Sequence, residues 1–346
     1  MGRRGWMGRR GWKWAALAAL GGMWAYRRAC AESLRGRVAL VTGGSRGLGL
    51  LLARELGRRG AQVAICARDV GELERASHVL WDQGIEVLSY ACDITQPSQV
   101  RKLVALVEER LGPIEVLVNN AGIATVGPTE ALEEKDYTEA MLVHFWAPLH
   151  LSLAVLPGMR ARRWGRIVNV SSIGGKVAIP HLVPYSASKF ALTGLSEGLR
   201  AELRKDGIRV TTVCPGLMRT GSPVNVEFAG NPGAERGWFT VSGSLPLFSM
   251  SAERAARKIV QACARGDAEL ILSWQAKLIS RLHGLAPGLV ADALGLVHRA
   301  LPAAGESPSR ARGLEAPSRW TPSALTALSD RASERNNELP PGHVTT

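Results

Sequence analysis

From Arg37 onward, short β-branched or apolar runs alternate with amphipathic stretches of 12 or more residues, and this rhythm restricts the chain more than any other feature. The candidate strands are Val38–Thr42, Gln62–Cys66, Glu86–Ala91, Glu115–Asn119, Arg166–Val170, Arg209–Val213 and Leu270–Leu272. Helical stretches fill the intervals near 47–59, 70–83, 97–111, 133–160, 184–206 and 252–265. A strand can rejoin its neighbour in parallel only through a crossover, so strict alternation reads as right-handed βαβ units. The expected fold class is α/β, a doubly wound parallel seven-stranded sheet with helices on both faces. A chain of 346 residues, 46% hydrophobic and 21% charged, can bury such a core. The five cysteines, Cys30, Cys66, Cys92, Cys214 and Cys263, are scattered and include no C-x-x-C pair. That pattern argues for a reducing compartment and against a disulfide framework or a zinc site, so no metal is expected.

The first strand runs into Thr42-Gly43-Gly44-Ser45-Arg46-Gly47-Leu48-Gly49 and then into a helix. Glycines 43, 47 and 49 let the backbone turn sharply and approach a pyrophosphate, which the N–H groups and positive end of the helix then hold. A glycine turn alone is weak evidence. Its position between a strand and a helix, with further βα units behind it, makes dinucleotide binding the expected role.

The spacing T-G-x-x-x-G-x-G resembles that of the short-chain dehydrogenase/reductase family, and further motifs follow in order. Asp93, with Ile94 after it, matches the acid that contacts adenine. Asn119-Asn120-Ala121-Gly122 matches the turn after the fourth strand, and Ser172 and then Tyr185-Ser-Ala-Ser-Lys189 match the family's serine and Y-x-x-x-K. Pro215-Gly216 with Thr220 matches P-G-x-x-x-T, which closes over the nicotinamide in that family. The resemblance covers about residues 36–272 and implies a Rossmann-type fold, a nicotinamide cofactor and ketone/alcohol chemistry. It also implies a homodimer or homotetramer built on the two long helices flanking the active site.

The residues themselves argue for the same chemistry. Tyr185 and Lys189 are four apart and share one helix face, so the ammonium can favour the phenolate. An ordinary tyrosine titrates near 10, and lowering it to about 7 takes roughly 4 kcal/mol of preferential stabilisation. Tyr185 then donates a proton to the carbonyl oxygen in reduction and accepts it in oxidation, while Ser172 hydrogen-bonds the same oxygen. At the tip of the second strand, where an acid would bind a ribose 2′-hydroxyl, stands Ala67, followed by Arg68. Arg46 adds a second cation, and two guanidiniums suit a 2′-phosphate, so NADP(H) is expected over NAD(H). Asp69 complicates this if it, rather than Ala67, occupies the tip.

One position departs from the pattern. Where the family carries its fourth catalytic residue, an asparagine, this chain has His144. In relatives that residue helps to hold a water linking the lysine to bulk, largely through its backbone carbonyl. If the backbone carries the role, His144 preserves it. If the side chain does, the pH profile shifts, because imidazole titrates near neutrality. Two functional readings therefore stand: an NADP(H)-dependent oxidoreductase acting on an apolar or acyl-type substrate, and a catalytically impaired NADP(H)-binding sensor or scaffold.

Outside residues 36–273 the chain changes character. The net charge of +13 is uneven: residues 1–35 hold eight Arg/Lys against one acid, while 302–346 are balanced. This points the basic arm to an anionic membrane surface or a targeting role rather than to nucleic acid. The arm repeats a hexamer, Met1–Trp6 and Met7–Trp12, and then runs uncharged from Trp14 to Tyr26, short of the roughly 20 residues of a spanning helix. An interfacial anchor, a plain extension and an export signal are the three readings. A cofactor of cytoplasmic supply favours a cytoplasmic protein over an exported one. Residues 222–250, rich in Pro and Gly among Val224, Phe228, Trp238, Phe239, Leu247 and Phe248, read as an irregular apolar substrate lid. Residues 274–301 read as two amphipathic helices packing on the domain, with a membrane-facing surface as the alternative, and 302–346 as a disordered tail.

Overall fold

The computed structural model describes residues 22, 32–245, 249–305, 309–321, 323 and 326–339. The proposed anchor, the repeated hexamer and Cys30 in the arm, and Leu247 and Phe248 in the lid, lie outside the described residues. The seven strands are β1 Val38–Thr42, β2 Gln62–Ala67, β3 Val87–Ala91, β4 Val116–Asn119, β5 Gly165–Val170, β6 Ile208–Pro215 and β7 Glu269–Leu272. They form one parallel sheet in the order β3-β2-β1-β4-β5-β6-β7. The helices between them are α1 Gly47–Arg58, α2 Val70–Trp81, α3 Pro97–Leu111, α4 Glu134–Ala161, α5 Val183–Leu203, α6 Pro232–Ser244 and α7 Ala252–Arg265. Downstream lie α8 Trp274–Leu285, α9 Pro287–His298 and α10 Ala327–Arg335.

A sheet covered on both faces buries every residue of its central strands, and β1, β4 and β5 are buried throughout. The period of two sorts them. Ala39 and Val41 join one core with Val63, Ile65 and buried residues of α1, α2 and α7. Val38 and Leu40 join the other with Ala64, Cys66 and residues of α3, α4 and α5. Strand order reverses between β1 and β4, so the carboxyl ends of these two strands open a crevice. The glycine turn follows β1 and the Asn119–Gly122 turn follows β4, which puts both at that crevice.

Three expectations need correction. Residues 222–250 are not one irregular insertion. They contain the strand Glu227–Gly230 and the helix α6, which Asn231 caps through its Oδ1 and Pro232 opens, and they end on the first residue of the strand Met250–Ser251. Glycines inside α6 disguise it in the sequence, yet they serve packing: a Cβ at Gly233 would stand 2.4 Å from the Pro317 carbonyl. Nor are residues 302–346 disordered where they are described. Ser309–Arg312 pairs antiparallel with Glu227–Gly230, and Ala316 packs with Phe228 and Phe239. Arg310 reaches Asp136 and Glu227. Finally, α8 buries only Ala276 and α9 buries no residue, with Leu285 84% and Leu289 74% exposed. The helices pack on each other, α8 packs on the sheet against β7, and His298 at the end of α9 lies edge-on to His181, 5.2 Å between ring centres.

Candidate active site at the switch point

The glycine turn is built as its spacing requires. Gly43 and Gly47 have φ of +63° and +55°, and a Cβ at Gly49 would stand 1.9 Å from the Gly43 carbonyl oxygen. Arg46 is the extended cap of α1, and the first turn of the helix carries no acid, which leaves its positive end receptive to an anion. Leu48 is partly buried against the core. Thr42 Oγ1 accepts from the backbone N–H of Asn120 at 3.0 Å and of Ala121 at 3.1 Å, while Asn120 Nδ2 donates to the Thr42 carbonyl at 3.0 Å. The turns after β1 and β4 are thereby fastened to each other.

Asp69 does not occupy the tip of β2. It caps α2, accepting from the Glu72 N–H at 2.7 Å, and β2 ends at Ala67 with Arg68 exposed beyond it. The second expected cation, Arg46, is paired with Glu72 at 2.5 Å, and Ser45 Oγ donates to the same carboxylate at 2.9 Å. Sequence reasoning missed Glu72, because nothing in an exposed-looking helix start shows which loop it faces. Asp93 accepts from Thr95 Oγ1 at 2.7 Å and Ile94 is buried beside it, which holds the turn after β3. Pro215 ends β6 and Gly216 N–H donates to the Leu272 carbonyl. Thr220 is buried, its hydroxyl 2.6 Å from that of Ser222.

At the end of β5, Ser172 Oγ accepts from the Gly174 N–H at 3.0 Å and is hydrogen-bonded to Tyr185. Tyr185 and Lys189 lie one turn apart on α5, with Nζ 5.6 Å from the phenol ring centre. The same ammonium donates to the Val170 carbonyl at 2.9 Å. Burial pushes Lys189 down to about 7 and pushes the Tyr185 phenol up, against the opposing hydrogen bond from Ser172. The lowered phenol expected from Lys189 is therefore not produced by these residues alone, because desolvation outweighs an ammonium that itself titrates near neutrality.

His144 sits in a π turn, Leu142–Trp146, inside α4. Its Nε2 accepts from the Ile123 N–H at 3.2 Å, which assigns the proton to Nδ1; that nitrogen donates to Ser188 Oγ at 2.8 Å. Ser188 Oγ in turn donates to the Tyr185 carbonyl at 2.9 Å. The ring lies edge-on to Tyr185, 5.4 Å between centres, and Gly122 leaves room for it: a Cβ there would meet Nε2 at 3.0 Å. Complete burial and the nearby Lys189 hold His144 well below its ordinary value, so it does not titrate near neutrality. Ser188 is a further residue that sequence reasoning missed, since the motif fixes only the ends of Tyr185–Lys189. The lid yields another unexpected group, a fully buried Glu235 that accepts from Trp238 Nε1 and lies 2.8 Å from His181 Nδ1.

Comparisons with known proteins agree with this geometry. The family model for short chain dehydrogenase matches residues 37–227. The chain is 35% identical to a granaticin polyketide synthase putative ketoacyl reductase of Streptomyces violaceoruber, over 68% of this chain and 88% of that protein. It is similar to a solved actinorhodin polyketide ketoreductase with NADPH, at 31% identity and TM-score 0.61, covering 68% of this chain and 95% of that one. A gluconate 5-dehydrogenase from Burkholderia cenocepacia in complex with NADP and tartrate is 28% identical, with TM-score 0.62, covering 72% and 98%. With the strand order, the glycine turn and the Tyr185–Lys189 pair all of one pattern, the chain belongs to the short-chain dehydrogenase/reductase family of oxidoreductases.

Proposed function

We propose that the chain is an NADP(H)-dependent reductase or dehydrogenase that interconverts a ketone and a secondary alcohol, with Tyr185 as general acid and base. The observation that carries this reading is the convergence of Ser172, Tyr185 and Lys189 at the carboxyl end of β5. The residues at the crevice fit a dinucleotide, because the turn is closed to side chains at Gly49 and the α1 terminus is free of acids in its first turn. Gly43, Ser45, Arg46, Gly47, Leu48 and Gly49 would hold the pyrophosphate. Asp93 and Ile94 would hold the adenine, Asn120, Ala121 and Gly122 with Tyr185 and Lys189 the nicotinamide ribose side, and Pro215, Gly216 and Thr220 would close over the ring. When bound, the cofactor supplies or accepts the hydride.

The protein's own part is orientation and proton transfer. Tyr185 gives its proton to the carbonyl oxygen in reduction and takes it back in oxidation, and Ser172 donates to that oxygen as charge develops. Lys189, titrating at about 7, exchanges a proton within the working range and, when charged, favours the phenolate. His144 acts as a neutral support that fixes the start of α5 through Ser188. Preference for the 2′-phosphate rests on Arg68 beside Ala67, since Glu72 occupies Arg46; solved relatives with NADPH and NADP support the same cofactor. The lid's Phe228, Trp238 and Phe239 pack against one another, so the apolar or acyl-type substrate is supported by the ketoacyl reductase relatives rather than by those rings. A homodimer is supported by the exposed Leu142, Trp146 and Leu153 on α4 and Phe190 on α5.

The test is oxidation of NADPH over a panel of β-ketoacyl thioesters, apolar ketones and sugar-derived ketones, with Tyr185→Phe as the control. Turnover should fall at least 100-fold in the variant while NADPH still binds. Undiminished turnover in Tyr185→Phe overturns the mechanism, and binding without turnover on any ketone favours the sensor reading.

A further inference from the structure

The segment after α10 turns back into the crevice. Asn337 adopts a left-handed φ of +57°, which directs the chain onto the glycine turn. There the Gly47 N–H donates to the Asn336 carbonyl at 2.9 Å, and Asn337 Nδ2 donates to the Ser45 and Glu72 carbonyls at 2.8 and 3.0 Å. Arg75 Nε holds Asn337 Oδ1 at 3.0 Å. The Glu338 carboxylate lies against the end of α1: one oxygen occupies space that a Cβ at Gly47 would contest at 2.9 Å, and the other accepts from the Gly221 N–H. Asn225 Nδ2 donates to the Glu338 carbonyl at 3.2 Å.

We propose that residues 336–338 are an intramolecular competitor of the cofactor's pyrophosphate, so that cofactor binding requires release of the tail. The inference rests on the reading of the glycine turn as the cofactor site. A carboxylate at a glycine turn and helix N-terminus is recognised by the same backbone N–H groups and the same positive end of the helix as a phosphate. The tail takes the Gly47 N–H outright and bridges to Gly221, next to Thr220, so it spans from the pyrophosphate end of the expected cofactor site toward its nicotinamide end. Burial pushes the Glu338 carboxyl up to about 8, with the Gly221 N–H and Arg46 opposing and Glu72 adding to it. At neutral pH the carboxyl is therefore largely protonated and holds the site with less charge than a pyrophosphate carries, so the better-charged ligand can displace it. The tail is tethered by α10, where Ser244 Oγ donates to Ser329 Oγ at 2.7 Å, so it stays close to the crevice after release. Apparent cofactor affinity is then the intrinsic affinity reduced by the fraction of molecules with the tail released.

The test uses the full chain and compares it with Glu338→Ala and Glu338→Gln, reading NADPH and NADH affinity by fluorescence and tail protection by amide hydrogen exchange. Glu338→Ala should bind both cofactors at least fivefold tighter and by the same factor, because both carry the same pyrophosphate, with Glu338→Gln in between. In the unmodified chain, saturating NADPH should speed exchange at the Asn336 and Glu338 amides, a readout that needs no variant to fold. Equal affinity in all three proteins, with the tail still protected under saturating NADPH, overturns the competitor while leaving the cofactor site intact. Absence of binding in every protein overturns the cofactor reading and the competitor with it.

Discussion

His144 illustrates how a titratable side chain can be kept out of titration. An imidazole with Nε2 accepting from Ile123 and Nδ1 donating to Ser188 has both nitrogens used in one neutral tautomer. Replacing it with asparagine should leave turnover within about threefold and the pH profile unmoved. His144→Leu strands the Ile123 N–H and removes the donor to Ser188 Oγ, and should cost about 1–3 kcal/mol in urea unfolding. Lys189 is the opposite case. Its folded value of about 7 lies below the 10.5 of the unfolded chain, so between these limits the unfolded state binds more protons and stability rises with pH. Lys189→Met should remove that contribution, an increment of at most about 1.4 kcal/mol per pH unit, when unfolding is compared at pH 7 and pH 9.

Among the elements, α4 and α5 carry two duties on opposite faces. Leu151, Val155 and Met159 of α4 seal the core, and its π turn brings His144 beside Tyr185. The length and apolarity of α4 would allow it to span a membrane, but its inner face is committed to the core. Its outer face exposes Leu142, Trp146 and Leu153, and α5 adds Phe190 at 40% exposure. Exposed apolar side chains on two neighbouring helices would suit a second copy of the chain, the dimer proposed above. A Trp146→Glu, Phe190→Glu double variant should shift the protein to monomer in analytical ultracentrifugation with its far-ultraviolet circular dichroism unchanged. An unaltered mass distribution would overturn a dimer built on this face.

At the scale of the whole molecule, the tail is what makes this chain more than a seven-stranded sheet. Ser309–Arg312 extends a small sheet begun by Thr125–Val126 and Glu227–Gly230, and Arg310 pins it to Asp136 of α4. Ala316 completes the cluster around Phe228, and the chain ends its described course at the glycine turn. The two ends of the fold thus meet at one crevice, where the first βα turn and residues 336–338 share hydrogen bonds.

The seven strands, their parallel pairing and the shared helix face of Tyr185 and Lys189 were legible because they depend on local rules. Fully buried strands must be continuously apolar, amphipathic helices repeat every three to four residues, and a Y-x-x-x-K spacing fixes one helix face. Boundaries of β1 and α3 agree with the sequence reading to the residue. What the sequence hid depends on contacts between distant segments. Helix α6 looks irregular because Gly233 and Gly237 answer to the tail across from them, and the tail looks disordered because its residues gain order from distant surfaces, residues 125–244 and the glycine turn among them. The partners of Arg46, the neutrality of His144 and the near-neutral Lys189 likewise depend on which groups the fold buries together, and burial is a property of the folded chain alone.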